Sequence, residues 1–398
     1  MRLVHLADLH LGFRQYHRLT AAGINQREAD IDATATRFIE RIIEVKPDLI
    51  VLGGDIFHVV RPSNTAILNA YRQFVRLRSA LPDTPIIMVA GNHDAPRTAE
   101  TGCILQLFRE LGIHVADTAA TTFTFPERSL VVMGVPDVPG IVRPPLLPPD
   151  GFTHRVLLLH GEIAGVLPAQ TLTDERAAVE IPTEALHAEA WSYIALGHYH
   201  VYRQVAPCAW YSGSIDYTSS NPWGELQEER SLRVPGKGFI EHDLVTGDHR
   251  FHPVEAARPL LDLDPIDGTG MGATELDGAI RARVESAVGG IDDRIVRIMV
   301  RNVARHVMRE LDHAALREYR RRTLHFHLDA RRPDPMPRRL GGGAAGGRRQ
   351  TLPELLTERL RERPLPAGMD RDTFVSLGLT YLQRAEDAVM DAMPVIAD

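Results

Sequence analysis

The sequence predicts an α/β fold in which short buried strands alternate with amphipathic helices. Apolar runs rich in Val, Ile and Leu recur at residues 3–7, 48–52, 85–90, 156–159 and 193–196. Runs of this length, bounded by glycine or polar residues, are typical of buried strands. Two longer segments, 31–45 and 64–81, place apolar residues at the three- and four-residue spacing of an amphipathic helix.

Each apolar run leads into side chains that can bind a metal ion. The five stretches read Asp8-Leu9-His10, Gly54-Asp55, Gly91-Asn92-His93-Asp94, His160-Gly161 and Gly197-His198-Tyr199-His200. Sites in α/β proteins lie at the carboxyl ends of strands, so we expect these side chains to meet. The glycines allow sharp turns and a close approach of backbone segments.

The donor types in these stretches indicate the kind of metal. Together the five stretches supply seven plausible metal ligands. Imidazole, carboxylate and amide donors without a thiolate suit Mn²⁺, Fe²⁺ or Zn²⁺. Seven ligands are enough for two ions about 3.5–4 Å apart that share one carboxylate. The sequence therefore predicts a two-metal hydrolase of phosphate esters.

Each stretch also has a purely structural interpretation. Glycine and aspartate after a strand commonly form a turn, and a histidine in the core or a loop explains the rarer strings. The structural interpretation would have to be correct at all five strand ends at once, and in this order along the chain. We therefore prefer the metal hypothesis.

The order of the five motifs resembles that of the calcineurin-like metallophosphoesterase superfamily. Further blocks resemble its SbcD branch, the nuclease subunit of a double-strand-break repair complex. They are Gly54-Asp55-Ile56-Phe57-His58 with Arg61-Pro62-Ser63, then Tyr211-Ser212-Gly213-Ser214 and Lys237-Gly238-Phe239. The resemblance covers roughly residues 1–255 and implies a four-layer αββα core that forms a nuclease domain.

The resemblance also implies a role for each site residue, and Mn²⁺ is the ion that we expect. It gives the first metal to Asp8, His10 and His200, and the second to Asn92, His160 and His198. Asp55 bridges the two ions. His93 is a catalytic residue that faces the scissile phosphate, and His58 assists it. A loop or helix-start position would equally explain His58, and Asp94 is expected to orient His93 or its loop.

The reaction implied is in-line attack of hydroxide on a DNA phosphodiester, without a covalent enzyme intermediate. Gly341-Gly342-Gly343 lacks the Lys-Ser/Thr ending of a phosphate-binding loop. A phosphodiesterase or phosphatase for small phosphate esters is the alternative, and the net charge of −7 favours it. A non-catalytic scaffold fits poorly, because every ligand position is filled by a matching residue type.

Length and composition predict a cytoplasmic protein, nucleoid-associated when bound to DNA. The 398 residues are enough for two or three domains. Two cysteines, Cys103 and Cys208, exclude a disulfide framework. No apolar run approaches the length of a membrane span, and no leader-like segment precedes the first strand.

A second unit is predicted at 256–332, with strands at 259–264, 294–303 and 324–328 and helices at 275–288 and 306–322. It resembles the small α/β capping domain that positions DNA over the metals in this branch. Arginines concentrate between residues 294 and 349, and a solvated helix face with a charged tail explains them as well. His325 and His327 are expected on a strand face and not as metal ligands.

The C-terminal region is predicted to be a tethered helical segment. Residues 333–350 combine prolines with a glycine-rich run and indicate a flexible linker. Two helices are expected in 351–398, at 352–360 and 372–393. The resemblance implies that they dock on the coiled coil of an SbcC-type ATPase, and that helices 31–45 and 64–81 pair two nuclease subunits in a homodimer. Packing within this protein would explain both surfaces equally well.

Overall fold

The structure is a computed structural model that describes residues 1–95, 102–140, 143–166, 177, 180–332, 352–363, 365 and 370–391. It forms two compact units, Met1–Pro333 and Asp334–Asp398. The predicted linker at 333–350 lies outside the described residues.

Two six-stranded sheets and one three-stranded sheet make up most of the first unit. In chain order the strands are β1 (Arg2–Leu6), β2 (Leu49–Leu52), β3 (Ile86–Val89), β4 (His114–Ala116), β5 (Thr121–Phe125), β6 (Leu130–Val135), β7 (His154–His160), β8 (Glu162–Ile163), β9 (Glu180–Ile181), β10 (Tyr193–Gly197), β11 (Arg203–Ala206), β12 (Ala209–Tyr211), β13 (Gly238–Asp243), β14 (His249–Pro253), β15 (Leu260–Asp267), β16 (Ile295–Arg301) and β17 (His325–Ala330). The helices are α1 (Gln26–Val45), α2 (Asn64–Ala80), α3 (Pro222–Leu232), α4 (Ala273–Glu285), α5 (Arg305–Arg309) and α6 (His313–Arg322).

Parallel strands occupy the centre of both large sheets. The first sheet has the order β14-β13-β1-β2-β3-β4, and β1 to β4 are parallel. The second has the order β11-β12-β10-β7-β6-β5, with β6, β7, β10 and β12 parallel. The five strands that lead into the candidate ligands are β1, β2, β3, β7 and β10, so the carboxyl ends of central parallel strands carry the site.

The sheets pack face to face, and other elements cover their outer faces. Leu3 and Val51 of the first sheet and Leu158 of the second are fully buried in the core between the sheets. Phe38 of α1 and Phe74 of α2 belong to the core on the outer face of the first sheet. The second sheet has its own outer core, lined by short 3-10 turns at Thr183–Leu186 and Ala188–Ala190. The predicted α/β class is confirmed.

Both predicted helices of the outer layer are present. The Asn25 side chain caps α1 by accepting from the Arg27 amide, and Lys46 ends the helix in a left-handed conformation. Ser63 caps α2 by accepting from the Ala66 amide. Helix α1 begins five residues before the predicted start at 31, because polar residues of its first turns are buried in specific pairs. Arg27 is fully buried and bonds to Asp216 at 3.0 Å.

His5 of β1 links the two sheets through hydrogen bonds of its fully buried ring. Its Nε2 lies 3.2 Å from the Leu196 carbonyl oxygen, so this nitrogen carries the proton and donates it. Its Nδ1 lies 3.1 Å from the Tyr193 hydroxyl and accepts from it. Burial lowers the pKa of His5 from 6.5 to about 3, because it disfavours the charged imidazole.

We expect His5 to make the fold sensitive to acid. The pKa is lower in the folded protein than in the unfolded chain, so its contribution is complete above pH 6.5 and is lost as pH falls toward 3. Each pH unit in that window should cost about 1.4 kcal/mol of unfolding free energy. Urea unfolding of the wild type and His5→Gln at pH 7, 6, 5 and 4 measures this. An identical pH dependence in the two proteins would contradict the assignment.

The segment 256–332 builds the three-stranded parallel sheet β15-β16-β17 with α4, α5 and α6 around a separate apolar core. The prediction of one helix at 306–322 is wrong. The chain leaves the helix after α5, and Asp312 starts α6 by accepting from the Ala314 and Ala315 amides. His325 and the exposed His327 lie on β17, as expected.

Specific contacts hold this segment against the large sheets. Arg258 forms a two-pronged pair with Asp30 of α1, at 2.5 and 3.0 Å. Arg18 bonds to Asp293 at 3.0 Å. The ring of His325 stacks on Tyr16 with centroids 4.2 Å apart. These contacts connect the segment to α1 and to the chain between β1 and α1.

The second unit contains the helices α7 (Leu352–Glu362) and α8 (Arg371–Asp391). Val375 of α8 is buried, whereas Leu377 and Tyr381 are 54% and 63% exposed. Among the described residues, none of the helices has both the length and the apolar composition needed to cross a bilayer.

Candidate metal centre

The candidate ligands gather at one end of the sandwich, where the two sheets meet. Asp8, His10, Asp55 and Asn92 follow strands of the first sheet, whereas His160, His198 and His200 come from the second. Two groups have ligand atoms within 4.8 Å of one another: Asp8 with His10 and His200, and Asp55 with His160 and His198. The structure thus brings the predicted ligands together, and their division between two ions stays a prediction.

In the first group, two imidazole nitrogens face each other. The Nε2 atoms of His10 and His200 are 3.0 Å apart. The Asp8 carboxylate belongs to this group and also accepts from the His198 amide, at 3.0 and 3.1 Å. Asp8 therefore ties the loop after β1 to the loop after β10.

In the second group, atoms with lone pairs converge. His160 Nδ1 donates to the Gly53 carbonyl at 2.7 Å, so the lone pair of its neutral ring lies on Nε2. That Nε2 lies 3.0 Å from Asn92 Oδ1 and 3.5 Å from Asp55 Oδ2. Asn92 Oδ1 is also 3.2 Å from His198 Nδ1. A cation bound between these atoms would be coordinated by all of their lone pairs.

Asp55 connects the two groups. Its Oδ2 lies 3.8 Å from His10 Nε2 of the first group and 3.5 Å from His160 Nε2 of the second. Its Oδ1 accepts from the His93 amide at 2.9 Å, which fixes the carboxylate plane.

The spacing of the ligand atoms fits two divalent ions. With metal–ligand bonds of about 2.0–2.2 Å, neighbouring ligand atoms around one ion lie about 3.0–3.5 Å apart. The separations of 3.0, 3.2 and 3.5 Å in the second group fall in this range. The 3.0 Å between the Nε2 atoms of His10 and His200 in the first group also falls in this range, so the residues present fit a divalent ion in each group.

Unusual backbone conformations aim several of these side chains. Asp8, His10, Asp55 and His198 have φ values of 53°, 46°, 49° and 105°, in the left-handed region that side chains other than glycine rarely adopt. Backbone hydrogen bonds hold these turns. The Asp8 amide donates to the Gly54 carbonyl oxygen at 3.0 Å, and the His10 amide donates to the Asp55 carbonyl oxygen at 2.9 Å. Strain of this kind persists where the surroundings over-determine it, as at functional sites.

Two glycines permit a close approach of backbone segments here, Gly197 between the two sheets and Gly91 between two loops of the first sheet. A Cβ on Gly197 would overlap the Gly53 carbonyl oxygen. A Cβ on Gly91 would overlap the Asp55 carboxylate. Larger residues at either position would push the ligand loops apart.

Asp94 fixes the loop that carries Asn92 and His93. Its buried carboxylate accepts from the backbone amides of Ile56, Phe57 and Gly91 at 3.1, 2.9 and 3.1 Å. The carboxylate therefore joins the loop after β2 to the loop after β3. Asp94 is expected to orient either His93 or its loop, and in the structure its hydrogen bonds are to the backbone of the loops.

His93 and His58 lie beside the first group. His93 Nδ1 lies 2.7 Å from the His58 carbonyl oxygen and donates to it, so Nε2 is the nitrogen that can exchange a proton. The two rings stack with centroids 5.1 Å apart. His58 Nδ1 lies 3.3 Å from His10 Nδ1. His10, His58 and His93 form a third group with converging nitrogens, so proximity alone does not separate ligand from catalyst.

Electrostatics divides the ligand histidines into two kinds. Burial lowers the pKa of His10 well below its usual value and that of His198 to about 3, which favours the neutral ring that a metal requires. Burial has the same tendency at His160, but the Asp55 and Asp8 carboxylates outweigh it and raise the pKa of His160. His160 is thus the ring that most favours a positive charge in the second group.

The structure adds residues that the motifs did not single out. Within the residues that the structure describes, the site opens to a cavity of about 230 Å³. One wall of this cavity is formed by α3 and its cap residue, with Asn221, Gly224, Glu225 and Glu228. Glu225 lies 3.5 Å from His200, and Lys237 pairs with Glu225 at 2.6 Å. Lys237 belongs to one of the sequence blocks whereas Glu225 does not, and their meeting with His200 depends on the tertiary fold.

Comparison with known proteins agrees with the site. Residues 1–234 match the model of the calcineurin-like phosphoesterase family, more than half of the chain, and the protein belongs to this family. The superfamily expected from the motifs is confirmed.

Among curated proteins the chain is similar to archaeal DNA double-strand break repair proteins Mre11. Identity to the Methanococcus maripaludis protein is 26% over 64% of this chain and 66% of the relative. Identity to the Sulfurisphaera tokodaii protein is 30%, over 51% of this chain and 49% of the relative. Identity to the Methanosarcina acetivorans protein is 22%, over 81% of this chain and 55% of the relative. The matches thus span between about half and two thirds of the length of these relatives.

Proposed function

We propose that the protein is a two-metal nuclease that hydrolyses DNA phosphodiester bonds in double-strand-break repair. The carrying observation is the convergence of two ligand groups on one shared carboxylate, Asp55, with His93 beside them. The similarity to double-strand break repair proteins supports DNA as the substrate.

The proposed roles of the residues follow from their contacts. Two divalent ions, when bound, polarise the phosphoryl oxygens and lower the pKa of water. Asp8, His10 and His200 hold the first, Asn92, His160 and His198 the second, and Asp55 both. His93 Nδ1 donates to the His58 carbonyl, so the ring acts as a general acid in its doubly protonated form: it gives its Nε2 proton to the leaving 3′ oxygen and keeps the proton on Nδ1. His58 keeps His93 in this orientation and packs on its ring. Mn²⁺ is the proposed ion.

The remaining surfaces support proposals about assembly. Leu68 and Val75 of α2 are 54% and 37% exposed and suit a helix face that pairs with a second copy of this chain.

In the proposed capping domain at 256–332, Arg305 of α5 and Arg317 and Arg320 of α6 are exposed and suit contacts with DNA phosphates. Other arginines there are neutralised, because Arg297 pairs with Asp262 and Arg322 with Asp292.

We expect the purified protein with Mn²⁺ to degrade end-labelled linear DNA and to open hairpin DNA. A small diester such as bis(4-nitrophenyl) phosphate serves as the competing substrate, and the acidic net charge of the chain makes that alternative worth testing. Parallel reactions with Mg²⁺ and Zn²⁺ compare the metals. Turnover of the small diester without any cleavage of DNA would favour the phosphodiesterase alternative.

We also expect α8 to bind the coiled coil of an SbcC-type ATPase through an apolar face. Phe374, Leu377 and Tyr381 recur at helical spacing, and the last two are largely exposed. Burying a leucine contributes about 1.5–3 kcal/mol, so Leu377→Glu should weaken binding at least about tenfold. Ser376→Glu adds the same charge about 100° around the helix and is the control. Equal affinities of the two variants for the ATPase would remove this surface from the proposal.

A further inference from the structure

A buried charged cluster lies behind the proposed ligand His200. It consists of Glu225 and Glu229 of α3 with Lys237, which precedes β13. All three side chains are at least nine-tenths buried. Burying three charges is costly unless each is closely paired, and a cluster that only stabilised the fold could be replaced by apolar residues. Its position behind His200 suggests what it does.

The two nitrogens of His200 have different surroundings. Nε2 faces the first metal group, 3.0 Å from His10 Nε2. Nδ1 is buried and makes no hydrogen bond within the described part of the chain. The nearest carboxylate oxygen is Glu225 Oε1 at 3.5 Å, an ion-pair distance. Because a carboxylate only accepts, this contact favours the proton on Nδ1 and leaves the Nε2 lone pair for a metal.

Lys237 holds Glu225 in this place. Its ammonium lies 2.6 Å from Glu225 Oε2 and 3.0 Å from Glu229 Oε1. It also donates to the His200 carbonyl oxygen at 2.8 Å. The amide of Ser219 donates to Glu225 Oε1 at 3.3 Å. The backbone of His200 and the carboxylate behind its ring are thus fixed by the same ammonium group.

The charge of the cluster also favours a cation at the first site. Two carboxylates and one ammonium leave one negative charge next to His200, and a carboxylate behind a ligand imidazole raises its basicity toward a metal. The other rings differ. His160 Nδ1 donates to the neutral Gly53 carbonyl, and His10 Nδ1 faces another imidazole. The cluster therefore acts on one of the two ions.

We propose that Glu225, held by Lys237, is a positioning residue that orients His200 and sets the affinity of the first metal site. This inference rests on the proposed two-metal function. It assigns a role to the segment 221–225 and to Lys237, and it makes α3 a part of the metal centre that no ligand motif contains.

The test measures metal binding and not turnover. Co²⁺ is titrated into the full-length wild type, Glu225→Gln and Glu229→Gln, with isothermal titration calorimetry and the visible absorption of bound Co²⁺ as readouts. Glu229 shares Lys237 with Glu225 and accepts from the Tyr217 hydroxyl at 2.6 Å, but within the described residues it forms no ion pair or hydrogen bond with His200. It is therefore a matched control for damage to the buried cluster.

We expect Glu225→Gln to weaken one of the two Co²⁺ equivalents about 10- to 100-fold and to change its absorption band, with the other equivalent unchanged. Glu229→Gln should stay within about threefold of the wild type. Glu225→Asp keeps the charge but withdraws the carboxylate by one methylene, so it should weaken the same equivalent less than Glu225→Gln does. It replaces that variant if Glu225→Gln does not fold.

Three results would overturn the inference. They are unchanged Co²⁺ affinity in the Glu225 variants, an equal loss in Glu225→Gln and Glu229→Gln, and a loss at both equivalents alike. A wild type that binds two Co²⁺ ions but does not cleave DNA would instead refute the nuclease proposal and leave this inference standing. A wild type that binds no Co²⁺ would refute both.

Discussion

Replacing Asp55 with asparagine is expected to remove both metal ions and to lower the rate of phosphodiester hydrolysis by about a thousandfold or more. Asp55 Oδ1 accepts from the His93 amide, so the amide oxygen of asparagine takes that position. The NH₂ group then faces His10 and His160 where Oδ2 lies now, at 3.8 and 3.5 Å from their Nε2 atoms. An NH₂ group has no lone pair for a metal, and loss of the ions removes several kcal/mol of transition-state stabilisation.

The measurements for Asp55→Asn are the metal content after dialysis against Mn²⁺ and the initial rate on linear DNA. Circular dichroism and the unfolding midpoint establish that the variant folds, and the substitution is nearly isosteric. Retention of one tightly bound ion would show that the two ligand groups bind independently, contrary to a bridging role. An unchanged rate would exclude the metals from the reaction.

Replacing His93 with alanine is expected to slow turnover severely without loss of metal. The ring is held by its Nδ1 bond to the His58 carbonyl, which leaves Nε2 for proton transfer to the leaving oxygen. General acid catalysis by a positioned side chain contributes about 10²- to 10⁴-fold, and the rate on DNA should fall by that amount. The backbone amide that fixes Asp55 remains in the variant, so the bridging carboxylate keeps its orientation.

The metal content of His93→Ala decides between two roles. His93 also belongs to a group of converging histidine nitrogens with His10 and His58. Two ions bound with affinities like those of the wild type, together with a low rate, support catalysis. Loss of one metal equivalent would instead make His93 a ligand.

The sequence predicted the central strands, α1, α2 and the set of side chains that meet at the site. This succeeded because each motif is local: a buried strand followed by a glycine turn places its polar side chain at the strand's carboxyl end. Parallel pairing then brings the ends together, as in the pairing of Gly197 with His160. The ligand and catalytic roles of these residues stay predictions.

The contacts behind the ligands could not be predicted in the same way. Glu225 and Lys237 reach His200 from a helix start and a loop that follow it by 25 and 37 residues, and no spacing rule links such positions. Likewise, the break between α5 and α6 depends on Asp312 capping a new helix, although the apolar pattern continues across it. The local sequence pattern shows only the spacing of the apolar residues that become buried. Helix caps and ion pairs depend on which of several competing interactions forms, and the apolar pattern carries no information about that choice.

The division of the ligands between the two sheets has a thermodynamic consequence. Each proposed ion takes donors from loops of both sheets, so it binds only when the sandwich is closed. A ligand of the native state alone adds RT ln(1 + [L]/Kd) to stability, about 2.7 kcal/mol at a hundredfold excess over Kd. The ions then act as a reversible cross-link between two halves of the fold, and the stability of the protein follows the supply of free metal around it.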